Sequence, residues 1–234
     1  FAYVNLSLRC GEQALPNSAA MQWVQTPYLA LLNHDDLWLP DHLQTALTVL
    51  QSPQLDLYLG RAVMCEGLAA GPDGRNVPVL TRVSPKERCG SDVFSQPFEL
   101  FEPASAWVIR SSAAREVGPW RTSDALYRVP LQDWLMRSWR LGLQWGQGDW
   151  PTCIKVEELG AVQTGLTGYR RGGALHEALM DMVVAAVQRG HVQGEALSRD
   201  LELIESPRWR TFCRLIQRRG KLARWFEALL RRPW

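Results

Sequence analysis

Thr26-Pro27-Tyr28-Leu29-Ala30-Leu31-Leu32-Asn33-His34-Asp35-Asp36-Leu37-Trp38-Leu39-Pro40 is the stretch on which the reading of this chain turns. Pro27 ends what precedes it, and Tyr28 to Leu32 is a short, wholly apolar run. Such a run fits a strand covered on both faces, as in a parallel sheet with helices above and below. The polar quartet Asn33 to Asp36 then falls at the carboxyl end of that strand, where open α/β sheets bind their ligands. Two adjacent carboxylates are costly to bury unpaired, so Asp35 and Asp36 should meet solvent, a base or a cation. Oxygen ligands of this kind suit a divalent ion that escorts phosphates. The same two residues can instead cap the next helix or pair with a nearby Arg.

Working outward, Phe1 to Leu6 alternates like a strand and Cys10 to Leu15 reads as a loop. Asn17 is placed to cap a helix running to about Gln25. Past Pro40, which suits a helix's first turn, Leu43, Ala46, Leu47 and Leu50 repeat at helical spacing until Ser52-Pro53. A second buried strand is expected from Leu55 to about Cys65. Gly71-Pro72-Asp73-Gly74 is a turn signal for a hairpin tip, and residues 75–103 read as loop. Ala104 to Ile109 is strand-like, Ser111 to Val117 a short helix stopped by Gly118-Pro119, and Leu131 to Leu141 a longer helix. Short strand-like pieces follow to Tyr169. From Gly173, Leu175, Ala178, Leu179, Met182, Val183 and Ala186 form one helical stripe. Strand–helix alternation followed by helices predicts an α/β domain over residues 1–170 and a helical extension over 171–234.

The composition is that of an ordinary globular protein: 46% hydrophobic and 21% charged over 234 residues, large enough to bury a core. Eleven Trp form a surplus that suits core corners, sugar-binding walls or membrane-facing surfaces alike. The net charge of +2 hides an asymmetry. Residues 207–234 carry nine Arg or Lys against Glu227 alone, about +8, and the rest has 17 bases against 23 acids, about −6. Five Cys without a C-x-x-C pair predict reduced, mostly buried thiols. No apolar run approaches the roughly 20 residues of a membrane-spanning helix.

The string from Thr26 to Leu43 resembles the acidic-corner signature of family 2 glycosyltransferases, which have the GT-A fold, a Rossmann-like mixed sheet flanked by helices. The family's Asp-x-Asp falls on Asn33-x-Asp35. The resemblance implies that Asp35 is the carboxylate for a divalent metal (Mn or Mg), with Asn33, His34 and Asp36 on the donor side. Pro130-Leu131-Gln132-Asp133-Trp134-Leu135-Met136-Arg137 resembles the helix start that carries the family's catalytic base, which matches Asp133. A carboxylate in a helix's first turn also gives ordinary helix stabilisation. Pro103 to Trp120 resembles the segment that builds the acceptor side, where Trp107 either stacks on a sugar or fills the core. Tyr169-Arg170 matches a Tyr-Arg pair that either reaches the donor's diphosphate or closes a strand. The resemblance covers about Phe1 to Arg170.

What it implies is an inverting transfer from a nucleotide-sugar donor to a glycan or lipid-linked acceptor hydroxyl, in one in-line displacement. This sequence departs from the pattern at Asn33 and Gln132, each replacing an acid, and the family's upstream nucleotide-binding strings do not occur in it. The second reading is therefore a catalytically inactive GT-A remnant serving as a binding module, and the 234 residues alone are expected not to turn over. In residues 207–234, Trp209, Phe212, Leu215, Ile216, Leu222, Trp225, Phe226, Leu229 and Leu230 recur at helical spacing among Arg residues. Such a segment suits an interfacial helix on anionic lipid, at the inner face of a membrane in a cytoplasmic protein, or a helix docked on the acidic body or a partner. An acidic body without a recognition motif argues against nucleic acid.

Overall fold

The computed structural model describes residues 5–7, 12–74, 76–84, 103–126, 130–156 and 174–190. The order is α1 (Ala14–Met21), β1 (Tyr28–Ala30), β2 (Leu37–Trp38), α2 (His42–Leu50), β3 (Leu57–Leu59), β4 (Arg61–Ala70), β5 (Asn76–Val83), β6 (Trp107–Arg110), α3 (Ser111–Val117), α4 (Pro130–Arg140), β7 (Trp145–Gly146), β8 (Pro151–Val156) and α5 (Ala174–Gln188). One-turn 3-10 helices at Ala104–Ala106 and Ser123–Ala125 complete it. The chain is mixed α/β, with two mixed four-stranded sheets and flanking helices: β1-β6-β3-β7 and β2-β8-β4-β5.

The apolar run at Tyr28 forms a strand covered on both faces, but not in a parallel sheet. β1 pairs antiparallel with β6, Leu29 opposite Ile109, and β6 pairs antiparallel with β3. The period of two explains the double cover. Leu29, Leu57, Leu59, Trp107 and Ile109 enter one core with the faces of α3 and α4, while Val108 and Tyr58 enter another with Ala46 and Leu50 of α2. In the first core Trp107, Trp120 and Trp134 lie ring to ring, their centroids 5.7–5.9 Å apart. Each such pair adds about 0.5–1.5 kcal/mol beyond the area it buries.

The strand expected from Leu55 is longer than its apolar run suggests and passes from one sheet to the other at Gly60. There the Gly60 N–H donates to the Ala106 carbonyl at 2.8 Å. A Cβ at position 60 would lie 2.5 Å from that oxygen and 2.8 Å from the Tyr58 ring, so only glycine fits the crossing. Beyond it, β4 pairs parallel with β8 and antiparallel with β5. The hairpin tip stands at Gly71–Gly74, closed by Gly74 N–H to the Gly71 carbonyl at 3.0 Å, with Gly74 at φ 76°.

Several local expectations are corrected. Residues 76–83 are strand rather than loop; Pro78 is tolerated because β5 is the sheet's edge strand. α1 begins at Ala14, three residues before Asn17, because Pro16 falls in the first turn, where a missing N–H costs nothing. Ala104–Ala106 is a 3-10 turn leading into β6. On α2 the buried line is His42, Ala46 and Leu50, with Leu43 and Leu47 exposed. Cys65 and Cys153 are free and buried as expected, whereas Cys10, Cys89 and Cys213 lie outside the described residues.

Arg110 ties the first sheet to α2. Its Nη2 donates to the Leu50 carbonyl at 2.6 Å and the Ser52 carbonyl at 3.2 Å, its Nε to the Leu55 carbonyl at 2.7 Å, and its Nη1 to the Tyr28 hydroxyl at 3.1 Å. A cation is thereby placed on the free carbonyls of a helix C-terminus, where the dipole favours it. α5 packs Leu175, Leu179 and Val183 onto the second sheet against Leu39, Cys65, Ile154 and Val156. Among the described residues no helix is long and apolar enough to cross a membrane.

Candidate functional site

The chain leaves β1 and turns sharply, the Asp36 N–H donating to the Asn33 carbonyl at 3.3 Å. Leu31 anchors the start of this turn in the first core, and Leu39 anchors its exit in the cluster that α5 packs against the second sheet. The turn thus sits between the two sheets. Ser105, in the 3-10 turn before β6, is its hub. Its hydroxyl accepts from the Asn33 N–H at 2.9 Å and donates to Asp36 Oδ2 at 2.5 Å, and its carbonyl accepts the Trp38 indole N–H at 2.5 Å.

Asp36 is buried, with 7% of its surface exposed. Oδ2 also accepts from the Asn33 side-chain amide at 3.1 Å, and Oδ1 accepts the Val156 N–H at 3.2 Å. Burial pushes its carboxyl above the usual range, the neighbouring Asp35 charge adds to that, and the bonds from Ser105, Val156 and Asn33 oppose it. With both oxygens hydrogen-bonded within the fold, Asp36 supports the turn from the interior.

Asp35 and His34 face the other way. Their side chains are 45% and 59% exposed, and His34 Nδ1 lies 3.8 Å from Asp35 Oδ1. The backbone carbonyl of Asp35 is 3.0 Å from His176 Nε2 on α5. A carbonyl can only accept, so Nε2 of His176 carries the proton. The extension after residue 170 therefore reaches back to the candidate metal residue. His176 and Ser105 are the two members of this site that sequence reasoning missed. Ser105 was legible only as a residue of an apolar segment, and His176 lies 141 residues from its partner.

Asp133 stands elsewhere, in the first turn of α4. Its Oδ2 accepts from Arg137 Nε at 2.9 Å, and Oδ1 lies 3.6 Å from Arg121 Nη1. Arg137 in turn donates to the Val117 carbonyl at 2.6 Å and the Pro119 carbonyl at 2.7 Å, closing the end of α3. Among the described residues no hydrogen bond or ion pair joins Asp133 to the Asn33–Asp36 turn. Trp107 is fully buried in the indole stack, so the sugar-stacking alternative for it is corrected to core packing. Arg170 and residues 207–234 lie outside the described residues.

Behind the turn, His42 opens α2. Its ring stacks on Trp38 at 4.7 Å, Nδ1 is 2.8 Å from the Thr152 hydroxyl, and Nε2 is buried without a hydrogen-bond partner. Burial lowers its pKa to about 4.

A divalent ion can be tested against this donor set. Asp36 is buried and bonded within the turn, and among the described residues no three His, Cys, Asp or Glu side chains gather as a protein-only metal site requires. Asp35 offers one half-exposed carboxylate, with His34 Nδ1 beside it. That fits an ion brought in on substrate phosphates, which takes one or two carboxylates from the protein. A scan against protein-family models and a search of curated proteins found no match for this chain.

Proposed function

We propose that the chain belongs to an inverting GT-A-type glycosyltransferase that uses a nucleotide-sugar donor and a glycan or lipid-linked acceptor. The observation that supports it best is the division of labour in one turn: Asp36 is buried and locks the backbone, and Asp35 next to it is left facing solvent. An exposed carboxylate on a fixed turn beside a sheet is pre-positioned for a charged ligand. Asp35, with the amide oxygen of Asn33, would hold a manganese or magnesium ion delivered by the donor. When bound, that ion supplies charge stabilisation to the departing diphosphate. The acceptor hydroxyl attacks the anomeric carbon as the bond to the diphosphate breaks, and Asp133 takes up the hydroxyl proton. His176 and Ser105 hold the turn still from either side.

A second reading, a catalytically inactive module that retains ligand binding, is favoured by a specific observation. The Asp133 carboxylate is engaged by Arg137 and faced by Arg121, so proton uptake requires that pairing to loosen on acceptor binding.

Calorimetry on the full-length protein with manganese and nucleoside diphosphates, separately and together, tests both. The transferase reading expects the diphosphate to bind in the presence of manganese, Asp35→Ala to abolish that binding, and Asp133→Asn to abolish turnover while leaving binding intact. Turnover that survives Asp133→Asn sinks the assignment of the base. Binding without any turnover in the parent selects the inactive module.

A further inference from the structure

We infer that the basic segment 209–230 docks on the outer face of α5 within the same chain. α5 buries Leu175, Leu179 and Val183, yet beside that line it exposes Met180, Val184 and Val187, each 40–47% accessible. These three recur at i, i+4 and i+7 and so form one stripe along the helix. Glu177 and Asp181, both exposed, run along one side of it. The face is therefore apolar with an acidic margin.

The segment that follows has the opposite charge and the same periodicity. From Trp209, apolar residues recur at helical spacing, and residues 207–234 carry nine bases against one acid. The 18 residues between Gly190 and Trp209 span up to about 60 Å when extended, against about 22 Å for the length of α5. Return to α5 is easily within reach. A tethered segment meets this face at millimolar effective concentration, so modest complementarity suffices. An anionic lipid surface would meet the Arg residues equally well, but it gives no account of the acidic margin on α5. Because α5 also carries His176, docking would press on the helix that bonds the Asp35 carbonyl, and this coupling rests on the transferase reading above.

Limited trypsinolysis of the full chain tests the docking itself, with no substrate involved. Cleavage at Arg210, Arg214 and Arg218 is followed in the parent, in Met180→Lys/Val184→Lys and in Glu177→Lys/Asp181→Lys, with circular dichroism confirming that each variant keeps its fold. Docking expects both variants to be cut at least about tenfold faster at these sites, since cleavage follows the population of the open form. Equal rates in parent and variants overturn the proposal. Protection that appears only on adding vesicles containing anionic phospholipid, and is indifferent to the α5 substitutions, overturns it in favour of a lipid surface.

Discussion

Asp36 and Asp133 are both carboxylates beside the start of a structural element, and the protein uses them in opposite ways. Asp36 is held by neutral donors, namely a hydroxyl, an amide and a backbone N–H, in a nearly closed interior that also contains the neutral His42. Asp133, 14% exposed, is held by guanidinium groups, one of them at the surface. Neutral donors spread over three segments fix geometry and leave a buried charge that burial opposes. Cations screen well and tolerate water. The first region should therefore respond to pH and ignore salt, and the second should do the reverse.

Acid should separate the regions most. His42 has a folded pKa of about 4 against 6.5 unfolded, so between these values only the unfolded chain takes up the proton. Its contribution is full above pH 6.5 and is lost as pH falls toward 4, by up to about 3 kcal/mol. Asp36 works in the other direction: its raised pKa gives stability that is full below the unfolded value of 3.8 and lost as pH rises through the folded one. Chemical denaturation between pH 7 and 4 should show the His42 loss in the parent and lack it in His42→Gln. A flat profile in the parent would remove His42 from the account.

Next in size, Asp36→Ala leaves the Ser105 hydroxyl, the Asn33 amide and the Val156 N–H without their shared acceptor, and should cost about 2–3 kcal/mol in urea melts. Arg137→Ala removes the bonds to the Val117 and Pro119 carbonyls along with the pair to Asp133, and should cost about 1–2 kcal/mol. Asp133→Asn should cost less than about 1 kcal/mol, and that cost should shrink in high salt. Asp35→Ala, at an exposed side chain, should change stability by no more than about 0.5 kcal/mol. If Asp133→Asn proves costlier than Asp36→Ala, the contrast drawn between the two regions fails.

Much of the fold was legible locally. The apolar run Tyr28–Leu32, the Gly71–Gly74 turn, the stop at Gly118 and the stripe Leu175–Leu179–Val183 each carried their own pattern or punctuation. The errors also have local causes. Pro78 read as loop because edge position is not a local property, and the repeat Leu43–Ala46–Leu47–Leu50 left open which residues turn inward because the α2 stripe could be drawn one residue either way. At the candidate site, the sequence singled out Asp35, Asp36 and Asp133 as residues worth placing. It gave no sign that one would be exposed, one sealed and one clamped.

That distinction depends on which groups arrive from far along the chain. Ser105 and Val156 reach Asp36 from 69 and 120 residues away, and His176 reaches the Asp35 carbonyl from 141. The amino-acid sequence by itself determined roughly where β1, the Gly71–Gly74 turn, α3 and α5 lie, because steric limits and hydrophobic period act within a few residues. Tertiary structure alone decided that β1 runs antiparallel to β6, that Gly60 carries the chain between sheets, and that Trp107 fills the core. Those outcomes rest on the close packing and hydrogen-bond satisfaction of distant segments, which no local pattern encodes.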